Sequence, residues 1–523
     1  MEVGWSPRGG RGLSGGDSRA GTLGRGLSGG DSRAGTLGRG LSGGDSRAGT
    51  APRTDRLARE PLRAGPLRAE TVLDRLADDP DNVSKSRIMS SPSPVWRNWA
   101  GNQRATPRRV VAPRSAEEVA AAVTTAADDG LTVRMVGTGH SFTGAAVTEG
   151  VLLRPEGLTA LRSVDADAGL VTAEAGMTLH AFNEHLAAHG LALANMGDIQ
   201  EQTLAGAIQT ATHGTGREAA GLVSQVAGLE LVLADGTTVT CSRDERAELF
   251  DAARAGLGAL GVVTAITWHT VPAFVLEARE EPMRWDAVLE GLDDLAAAND
   301  HFEFYWFPHT DGCLTKRNNR VAGPAEPLSA FRHWLDDEFL SNSVFGLANR
   351  IGSRFPGTIP AINGISARAL GARTYRDRSD RVFTSPRRVR FKEQEYAIPR
   401  EELTDALREV RSVIERSGRR IGFPIEVRLL PPENPWLSMA YGRDSAFLAF
   451  HVFHSSEHEE YFRDVEDVLT ALGGRPHWGK LHTRDAAYLE GVYPRFGDFL
   501  ALRDRFDPER RFANAYTTHI FGK

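Results

Sequence analysis

One histidine of the chain stands in a turn that is built of small residues. His140 follows Gly137, Thr138 and Gly139 and precedes Ser141. Because glycine carries no Cβ, the backbone N–H groups of such a turn can approach an anion closely and form a concave surface for phosphate. The turn is also expected to present the imidazole ring, which makes His140 a candidate nucleophile. An ordinary surface or core histidine is the alternative that these residues leave open.

Three further glycine-rich stretches lie in the first half of the chain, at residues 195–198, 205–221 and 256–261. Together with the turn around His140, they make dinucleotide binding one interpretation of this half. The sequence contains no strand–G-x-G-x-x-G–helix unit with a downstream acid and no G-x-x-x-x-G-K-[ST] loop, so it supports neither a Rossmann site nor a P-loop. Each stretch taken singly is also compatible with an ordinary turn.

Side chains that can bind a polar substrate lie in the C-terminal part of the chain. Glu426 and Arg428 are two residues apart on a predicted strand, so they project from the same face. Such a pair can bind a polyol, because a carboxylate accepts hydrogen bonds from hydroxyl groups and a guanidinium donates to oxygen. A structural ion pair is the alternative. His451, on another predicted strand, and Lys480, beside Gly479, are further candidates, with a core histidine and an exposed lysine as their alternatives.

The sequence supports neither a metal site nor a hydrolase active site. An H-E-x-x-H motif is absent, and Cys241 and Cys313 have no partners at ligand spacing. No G-x-S-x-G sequence joins a predicted strand to a predicted helix, as a nucleophile elbow requires. We therefore expect no metal site.

The elements that position these residues begin near Trp96. A strand at 109–112 is followed by Ser115-Ala-Glu-Glu118, a capping box that opens a helix ending at Gly130. The alternating residues 131–136 predict a buried strand that runs directly into the turn of His140. This βαβ beginning is followed by more mixed structure: a strand at 170–175, a helix at 179–189, a hairpin at 226–241 and a strand at 262–269.

The pattern changes after Pro272. An aromatic-rich strand at 302–307 precedes a long polar stretch around 316–392. Strands are then predicted at 421–430 and 446–453, and a helix rich in Arg and Asp precedes Phe512. The sequence therefore predicts an α+β chain with a domain boundary near Pro272.

The bulk composition excludes several partners. The 523 residues carry a formal net charge of −6, which gives no electrostatic reason to expect nucleic acid. No apolar run approaches the roughly 20 residues of a transmembrane helix, so we expect no integral membrane segment. Two cysteines fit a reducing compartment. We expect a cytoplasmic protein, with peripheral membrane association as the alternative.

The N-terminal region repeats itself. The sequence RGLSGGDSRAGTLG occupies residues 11–24 and 25–38 and is truncated at 39–50. A tract rich in Gly, Ser and Arg cannot bury a core, so residues 1–88 are predicted to form a disordered extension. Met89, where ordered-looking sequence begins, is predicted to be the natural start.

Several motifs in order resemble a known family. Residues 134–142, 202–216 and 258–264 resemble the FAD-binding domain of the vanillyl-alcohol-oxidase-type, or PCMH-type, flavoproteins. Glu426-Val-Arg428, Tyr441-Gly-Arg443, His477-Trp-Gly-Lys480 and residues 505–514 resemble the sugar-1,4-lactone oxidases and dehydrogenases and their alditol oxidase relatives. The resemblance covers about residues 96–522.

The resemblance implies a two-domain α+β fold in which a cap domain on an antiparallel sheet covers an FAD-binding domain. The implied FAD-binding domain spans 89–272, the substrate-binding cap spans 273–472, and residues 473–523 return to complete the FAD domain. Through His140 the FAD is implied to be covalent, at its 8α-methyl group. The other implied cofactor-binding residues are Gly137, Thr138, Gly139, Ser141, Gly206, Thr210, His213, Gly214, Gly216, Gly261 and Val263.

The implied catalytic residues are Glu426, Arg428, His451 and Lys480. A substrate C–H that bears a hydroxyl would give hydride to flavin N5, and the hydroxyl would lose its proton. Glu426 and Arg428 position the substrate, His451 accepts the proton and Lys480 favours the reduced flavin anion. Dioxygen or another acceptor then reoxidises the flavin.

A sugar-1,4-lactone, such as L-gulono- or D-arabinono-1,4-lactone, is the substrate that the resemblance favours, because residues 316–392 look more like the lactone branch. An alditol oxidase acting on the terminal hydroxyl of xylitol or sorbitol is the alternative within the same class. A non-catalytic flavin-binding protein is the alternative of another class, and the joint presence of Glu426, Arg428 and Lys480 argues against it.

Overall fold

The computed structural model of this chain describes residues 95–369 and 371–523. These residues fall within one compact unit, Arg87–Lys523. The predicted extension at 1–88 and the predicted start at Met89 lie outside the described residues.

The strands that precede Val275 form four small sheets. The first sheet pairs β1 with β2, the second is parallel with the order β3-β5-β4, the third is antiparallel with the order β10-β9-β11-β7-β6, and the fourth pairs β8 with β12. Their bounds are β1 (Trp96–Arg97), β2 (Arg104–Ala105), β3 (Arg109–Val111), β4 (Val133–Met135), β5 (Val151–Leu153), β6 (Leu161–Asp165), β7 (Leu170–Glu174), β8 (Leu191–Ala192), β9 (Val226–Val232), β10 (Thr238–Ser242), β11 (Val262–His269) and β12 (Val271–Pro272).

The strands from Val275 onward form one antiparallel sheet of eight strands. Their bounds are β13 (Val275–Arg284), β14 (His301–Trp306), β15 (Gly312–Val321), β16 (Arg373–Arg378), β17 (Phe391–Pro399), β18 (Ile425–Leu430), β19 (Ser445–Phe453) and β20 (Arg475–Pro476). The order across the sheet is β16-β13-β15-β14-β18-β19-β17-β20. The strands that carry Glu426 and His451 are therefore neighbours in its middle.

Helices cover the sheets and fill the connections. The α-helices are α1 (Ala116–Asp128), α2 (Leu179–Ala188), α3 (Leu204–Gln209), α4 (Ala247–Ala253), α5 (Trp285–Glu290), α6 (Leu292–Ala297), α7 (Ala330–His333), α8 (Phe345–Arg354), α9 (Ile359–Ala369), α10 (Ser379–Phe383), α11 (Leu403–Ser417), α12 (Glu459–Ala471), α13 (Ala486–Val492), α14 (Phe496–Phe506) and α15 (Ala515–Phe521). A π-helical stretch, Trp334–Val344, joins α7 to α8, and 3₁₀ turns occupy Pro155–Gly157, Leu222–Gln225, Pro356–Thr358 and Arg400–Glu402. Within the described ranges, none of the helices has the length and apolar character that crossing a bilayer requires.

The predicted βαβ beginning is confirmed, with one strand added. Helix α1 starts after Ser115, whose side chain accepts a hydrogen bond from the N–H of Glu118 at 3.3 Å. The carboxylate of Glu118 accepts from the N–H of Arg114, not from Ser115, so the capping box is only half formed. Strands β3 and β4 both pair in parallel with β5, which lies between them. Strand β4 leads directly into the turn that contains His140.

Candidate active site

A cleft lined by glycines and other small residues follows β4. It holds about 940 Å³ of empty space. Of the predicted cofactor-binding residues, nine line this glycine-lined cleft: Gly137, Thr138, Gly139, His140, Ser141, Gly206, Thr210, Gly261 and Val263. The structure therefore brings together three separate sequence segments, 137–141, 206–210 and 261–263.

Two glycines show why this cleft needs residues without a side chain. A Cβ on Gly137 would lie 2.4 Å from Oγ1 of Thr203, which is an impossible contact unless Thr203 moves. That hydroxyl is already the N-cap of α3, since it accepts from the N–H of Gly206 at 3.1 Å. Gly139 has φ +77°, a conformation that other residues rarely adopt. The turn is thus shaped by backbone, as its sequence predicts.

His140 lies at the end of this cleft. Its ring stacks on Trp99 with a centroid distance of 5.6 Å and an angle of 21°. Burial lowers the pKa of His140, and nearby Glu201 only partly opposes this effect. The imidazole is therefore held neutral near pH 7, which is the nucleophilic form.

The C-terminal segment fixes the loop that follows His140. The side chain of Asn514 donates hydrogen bonds to the carbonyl groups of Gly144, Ala145 and Val147, at 2.8 to 3.1 Å. The N–H of Phe142 donates to the carbonyl of Gly479 at 2.7 Å. Residues after 476 therefore hold the turn in place, which agrees with a C-terminal segment that returns to the first half.

Two buried polar atoms of the cleft fit an anionic dinucleotide. Arg134 donates through Nη1 and Nη2 to the carbonyls of Ala145, Leu257, Gly258 and Phe512, but its Nε has no partner among the described residues. No carboxylate forms an ion pair with it there, and burial lowers its pKa to about 10. Asp507 partly opposes this lowering without forming an ion pair with Arg134, so the buried guanidinium favours an anion nearby. Oε1 of Gln202 is likewise buried without a partner. These groups fit the diphosphate and ring of FAD.

A second cavity adjoins the cleft and is lined by charged side chains. His140, Ser141, Gln202 and Thr210 line both spaces. This charged cavity holds about 750 Å³ of empty space. All four predicted catalytic residues line it: Glu426, Arg428, His451 and Lys480. The structure thus brings them together beside His140, although their catalytic roles stay predictions.

Glu426 and Arg428 form an ion pair on β18, and both are buried. Arg428 also lies 3.4 Å from Glu303 and 3.5 Å from Asp198. Burial raises the pKa of Glu426, and the negative charges of Asp198 and Glu303 add to this rise against the opposing effect of Arg428. The hydroxyl of Tyr305 donates to Glu426 at 2.7 Å. Glu426 is thus the carboxylate of this cluster that most readily takes a proton.

Lys480 and His451 share one carboxylate, that of Glu393. Lys480 Nζ donates to Glu393 Oε2, and Nε2 of His451 lies 3.4 Å from Oε1. Burial alone would raise the pKa of Glu393, but Lys480 and His451 outweigh it and hold that pKa at about 2. Burial alone would lower the pKa of Lys480, but Glu393 and Glu395 raise it above its usual value. Glu393 and Lys480 are therefore both charged at neutral pH.

His213 contributes to the charged cavity instead of the glycine-lined cleft. Its Nε2 lies 3.4 Å from Oε1 of Glu395, and ligand-type atoms of His213, Glu395 and His477 all lie within 4.8 Å of one another. No local motif predicts this cluster, because its members come from three distant segments. Burial lowers the pKa of His477 to about 3, so its ring is neutral.

Gly214 and Gly216 make close backbone contacts outside the cleft lining. A Cβ on Gly214 would lie 2.0 Å from the carbonyl oxygen of Met196, and one on Gly216 would lie 2.3 Å from that of Ala219. Both glycines therefore allow two loops to pack tightly. Their predicted contact with the cofactor stays a prediction.

Sequence reasoning missed several charged or hydrogen-bonding residues that line or support the charged cavity. They are Asp198, Glu303, Tyr305, Arg387, Glu393 and Glu395. One signal was available, since Glu393 and Glu395 alternate with Gln394 on a strand and must face the same side. The cross-strand register explains the grouping, because Glu393 pairs with His451 and Tyr305 pairs with Glu426.

A wider outer cavity opens from the charged cavity. It holds about 2950 Å³ of empty space, and Arg387, Phe391, Glu426 and His451 line both spaces. The ring of His451 packs against Phe391, which lines both cavities, at 5.0 Å and against Phe423, which lines the outer cavity, at 6.1 Å. A polar molecule can therefore reach Glu426 through this opening.

Comparison with known families matches most of the described chain. The model of a family described as D-arabinono-1,4-lactone oxidase matches residues 266–520, and that of an FAD binding domain matches residues 107–242. The FAD cofactor that the resemblance implied is therefore confirmed, whereas its covalent attachment is not tested.

Known proteins match over nearly their whole length. L-gulono-1,4-lactone dehydrogenase of Mycobacterium tuberculosis is 41% identical over 82% of this chain and 100% of that protein. L-gulonolactone oxidase of Bos taurus is 32% identical over 82% of this chain and 98% of its own length. Alditol oxidase of a Streptomyces species is 32% identical over 80% of this chain and 97% of its own length.

Solved structures agree on the fold. A cholesterol oxidase from B. sterolicum superposes with a TM-score of 0.72 at 19% identity, covering 82% of this chain and 96% of that one. The predicted α+β, PCMH-type fold is confirmed by this likeness and by the FAD binding domain match. The resemblance on which the site residues rest is thereby confirmed as well: this chain belongs to the family of FAD-dependent sugar-1,4-lactone oxidases and dehydrogenases.

Proposed function

We propose that this chain oxidises a sugar-1,4-lactone of the L-gulono- or D-arabinono-1,4-lactone type, with FAD as its cofactor. One observation carries the proposal. Glu426, Arg428, His451 and Lys480 surround a single cavity that joins the glycine-lined cleft at His140. The identity of 41% to a lactone dehydrogenase, against 32% to an alditol oxidase, favours the lactone over a linear polyol.

The ion pair of Glu426 and Arg428 on β18 binds the substrate. The guanidinium of Arg428 donates hydrogen bonds to oxygens of the lactone, and the carboxylate of Glu426 accepts from its hydroxyl groups. Asp198 and Glu303 hold the guanidinium from other sides, at 3.5 and 3.4 Å, so it does not need to reorganise when substrate arrives. Such positioning is worth several kcal/mol in an oxidation that requires close approach of the reacting C–H.

When bound, FAD supplies the acceptor for the hydride that leaves the substrate carbon. His451 accepts the proton that leaves the substrate hydroxyl, and Glu393, 3.4 Å from its Nε2, stabilises the imidazolium that results. Lys480 contributes a positive charge to the charged cavity, which would stabilise negative charge on a reduced flavin bound there. His140 attaches the cofactor covalently and takes no part in proton transfer.

The proposal also includes the electron acceptor and the cellular location of the protein. Electrons pass from the reduced cofactor to dioxygen or to another acceptor. Peroxide formation in air would identify dioxygen as the acceptor, whereas turnover in air only when a dye is added would identify another acceptor. The cytoplasmic location stays a prediction, which cell fractionation checks.

Substrate profiling of the purified holoenzyme tests the proposed reaction. We expect turnover of L-gulono-1,4-lactone or D-arabinono-1,4-lactone with an artificial electron acceptor, and much weaker turnover of xylitol and sorbitol. Oxidation of xylitol or sorbitol without turnover of either lactone would assign the chain to the alditol branch. Flavin that no sugar lactone or polyol reduces would instead identify a non-catalytic flavin-binding protein.

A further inference from the structure

A tyrosine hydroxyl lies between two carboxylates where the charged cavity meets the outer cavity. The hydroxyl oxygen of Tyr305 is 2.7 Å from Oε1 of Glu426 and 3.2 Å from Oε1 of Glu303. Tyr305 lines the outer cavity, whereas Glu426 lines both cavities. A phenol carries one proton, so it can donate to only one of the two carboxylates at a time. The charges around each carboxylate decide which of them receives it.

The register of two strands brings these groups together. On β14, Glu303 and Tyr305 are two residues apart and therefore project from the same face. Tyr305 pairs with Glu426 across the ladder to β18, and Glu303 pairs with Arg428. Directly opposed residues of an antiparallel pair have Cβ atoms about 4.5–5.5 Å apart. The backbone of the sheet therefore fixes the geometry of this four-residue cluster.

Glu303 does not need the proton of Tyr305. Nζ of Lys316 lies 3.2 Å from Oε1 of Glu303, and Nε of Arg428 lies 3.4 Å from its Oε2. Burial alone would raise the pKa of Glu303, but these two cations outweigh it and lower that pKa. Each oxygen of Glu303 therefore has a cationic neighbour, and the proton of Tyr305 is available for Glu426.

The hydroxyl of Tyr305 keeps its proton in this environment. Burial raises the pKa of Tyr305 well above its ordinary value, and the negative charges of Glu303 and Glu426 add to this rise. The phenol is therefore a hydrogen-bond donor at any pH near neutrality.

The two oxygens of Glu426 have different surroundings. Oε1 receives both the hydroxyl of Tyr305 and the ion pair with Nη2 of Arg428. Among the described residues, none donates a hydrogen bond to Oε2. Because Glu426 lines both cavities, this second oxygen is the one left for a ligand.

We propose that Tyr305 is a positioning residue for the lactone: with Arg428 it holds Oε1 of Glu426, so that Oε2 is left to accept a hydrogen bond from a substrate hydroxyl group. This inference rests on the proposed function, in which Glu426 accepts hydrogen bonds from the lactone. Tyr305 acts through Glu426, because its hydrogen bond fixes the rotation of the carboxylate and stabilises the ionised form. Protonation of Glu426 would turn one of its oxygens from an acceptor into a donor.

The surroundings of Glu426 determine the direction of the expected pH effect. The charged and titratable groups around it are Arg428 on β18, Tyr305 and Glu303 on β14, His451 on β19, and Asp198 and Arg387 in two loops. Burial raises the pKa of Glu426, and the balance of the neighbouring charges leaves it above its ordinary value. Loss of the Tyr305 hydroxyl removes a donor that favours the ionised form, so this pKa should rise further. Activity that needs ionised Glu426 is then lost at a higher pH as the solution is acidified.

Tyr305→Phe tests the inference, because it removes the hydroxyl and keeps the ring. With L-gulono-1,4-lactone and flavin-loaded enzyme, we expect KM to rise about tenfold, since a hydrogen bond to a charged group is lost. We expect kcat to change by less than about threefold, as for a loss of substrate binding. The acid limb of the kcat/KM profile should move to higher pH by about half a unit or more.

Tyr461→Phe is the matched control. Tyr461 is buried on α12, and its hydroxyl has no hydrogen-bond partner among the described residues. This variant should keep both KM and the acid limb of the wild type. Flavin content and Tm are measured for each variant, so that a loss of cofactor or of stability is seen separately from a change in substrate binding.

A double variant tests whether Tyr305 acts through Glu426. In a Glu426→Ala background, Tyr305→Phe should change the half-saturating lactone concentration for anaerobic flavin reduction by less than about twofold, because the carboxylate on which it acts is gone. An undiminished tenfold effect in that background would overturn the inference.

Two further results would also overturn it. One is an unmoved acid limb and an unchanged KM in flavin-loaded Tyr305→Phe, even with a lower Tm, which would leave Tyr305 a structural role alone. The other is the same set of changes in Tyr461→Phe. Wild-type flavin that neither lactone reduces would contradict the proposed function, and this inference with it, whereas reduced wild-type flavin with an unmoved limb in the variant contradicts only the role of Tyr305.

Discussion

The glycine-lined cleft and the charged cavity meet at His140, but they are built from different groups. One charged side chain, Arg134, lines the cleft among the described residues. Seven line the charged cavity: Asp198, Arg387, Glu393, Glu395, Glu426, Arg428 and Lys480. The cleft recognises its ligand mainly through backbone shape, whereas the cavity works through buried charges that must balance one another. Changes of charge should therefore affect catalysis most, and changes of shape should affect cofactor binding.

The largest effect is expected from Arg428→Ala. Removal of the guanidinium leaves Glu426, Glu303 and Asp198 without a shared cation, and loss of one partner of a buried pair typically costs about 3–5 kcal/mol. We expect kcat/KM for the lactone to fall about 1,000-fold or more, with flavin content unchanged. Arg254→Ala is the matched control, because Arg254 is equally buried but lies outside the cavity. That variant should lose stability and keep kcat, and an equal loss of kcat in both variants would contradict the assignment.

The next effect is expected from Glu393→Gln. Because Glu393 raises the pKa of Lys480, its neutralisation should lower that pKa and move the alkaline limb of the kcat profile to lower pH. We expect kcat itself to fall about 100-fold, since His451 and Lys480 lose their shared counter-charge. The measurement is the pH dependence of kcat. Glu466→Gln, at a buried carboxylate paired with Arg484 elsewhere, should leave the profile unmoved.

The Glu393→Gln variant should also differ from the wild type in how its thermal stability depends on pH in the acidic range. The pKa of Glu393 lies near 2 in the fold against an ordinary 4.5, so its stabilising effect is complete above about pH 4.5 and is lost as the pH falls toward 2. The Tm of the wild type should therefore drop more steeply than that of Glu393→Gln between about pH 5 and about pH 3. Parallel curves would show that Glu393 is not held charged by its neighbours.

A smaller effect on rate is expected from His140→Ala, at the junction of the two regions. Wild-type protein should keep its flavin fluorescence in a denaturing gel after acid precipitation, and the variant should not. We expect the covalent bond to raise the redox potential of the flavin, so the variant should bind FAD reversibly with kcat about tenfold lower. A fall of about 30 mV in a two-electron potential corresponds to a factor of ten in the equilibrium constant of flavin reduction. If wild-type flavin washes out freely, the covalent bond is wrong and the fold is unaffected.

The smallest effect is expected from Gly137→Ala in the cleft. The new methyl group must displace Thr203 Oγ1, which lies 2.4 Å from its position, and so disrupts the cap of α3 at a cost of about 1 kcal/mol. We expect FAD affinity to fall about fivefold while the kcat of the loaded enzyme is kept. Gly491→Ala, where nothing lies within 4 Å of the new methyl, should leave affinity unchanged.

The two regions also differ in how far the sequence predicts them. The turn 137–141 is one contiguous motif that follows a strand, so local rules identify its shape. Its four cleft-lining companions, Gly206, Thr210, Gly261 and Val263, were implied by the family resemblance. Strands at 170–174 and 262–269 and the hairpin at 226–242 were predictable for the same reason, because their periodicity is local. Gly214 and Gly216 show the limit, since a glycine that serves loop packing looks the same in sequence as one beside a ligand.

The charged cavity depends on register, which the sequence does not display. Glu393 faces His451, and Tyr305 faces Glu426, only because β17, β19, β18 and β14 lie in a particular order across the sheet. Asp198 joins them from a loop more than 100 residues earlier. Pairwise motifs such as Glu426-Val-Arg428 were visible, but their counter-charges belong to strand pairings that form only in the folded chain.

The most direct test of the account is anaerobic reduction of the flavin in wild type and Arg428→Ala. L-gulono-1,4-lactone is mixed with each holoenzyme, and the visible absorbance of oxidised flavin is followed in time. The account predicts rapid and complete bleaching in the wild type, and a full flavin spectrum that bleaches about 1,000-fold more slowly in Arg428→Ala. Wild-type flavin that stays oxidised with both L-gulono- and D-arabinono-1,4-lactone, or equal rates in the two proteins, would contradict it.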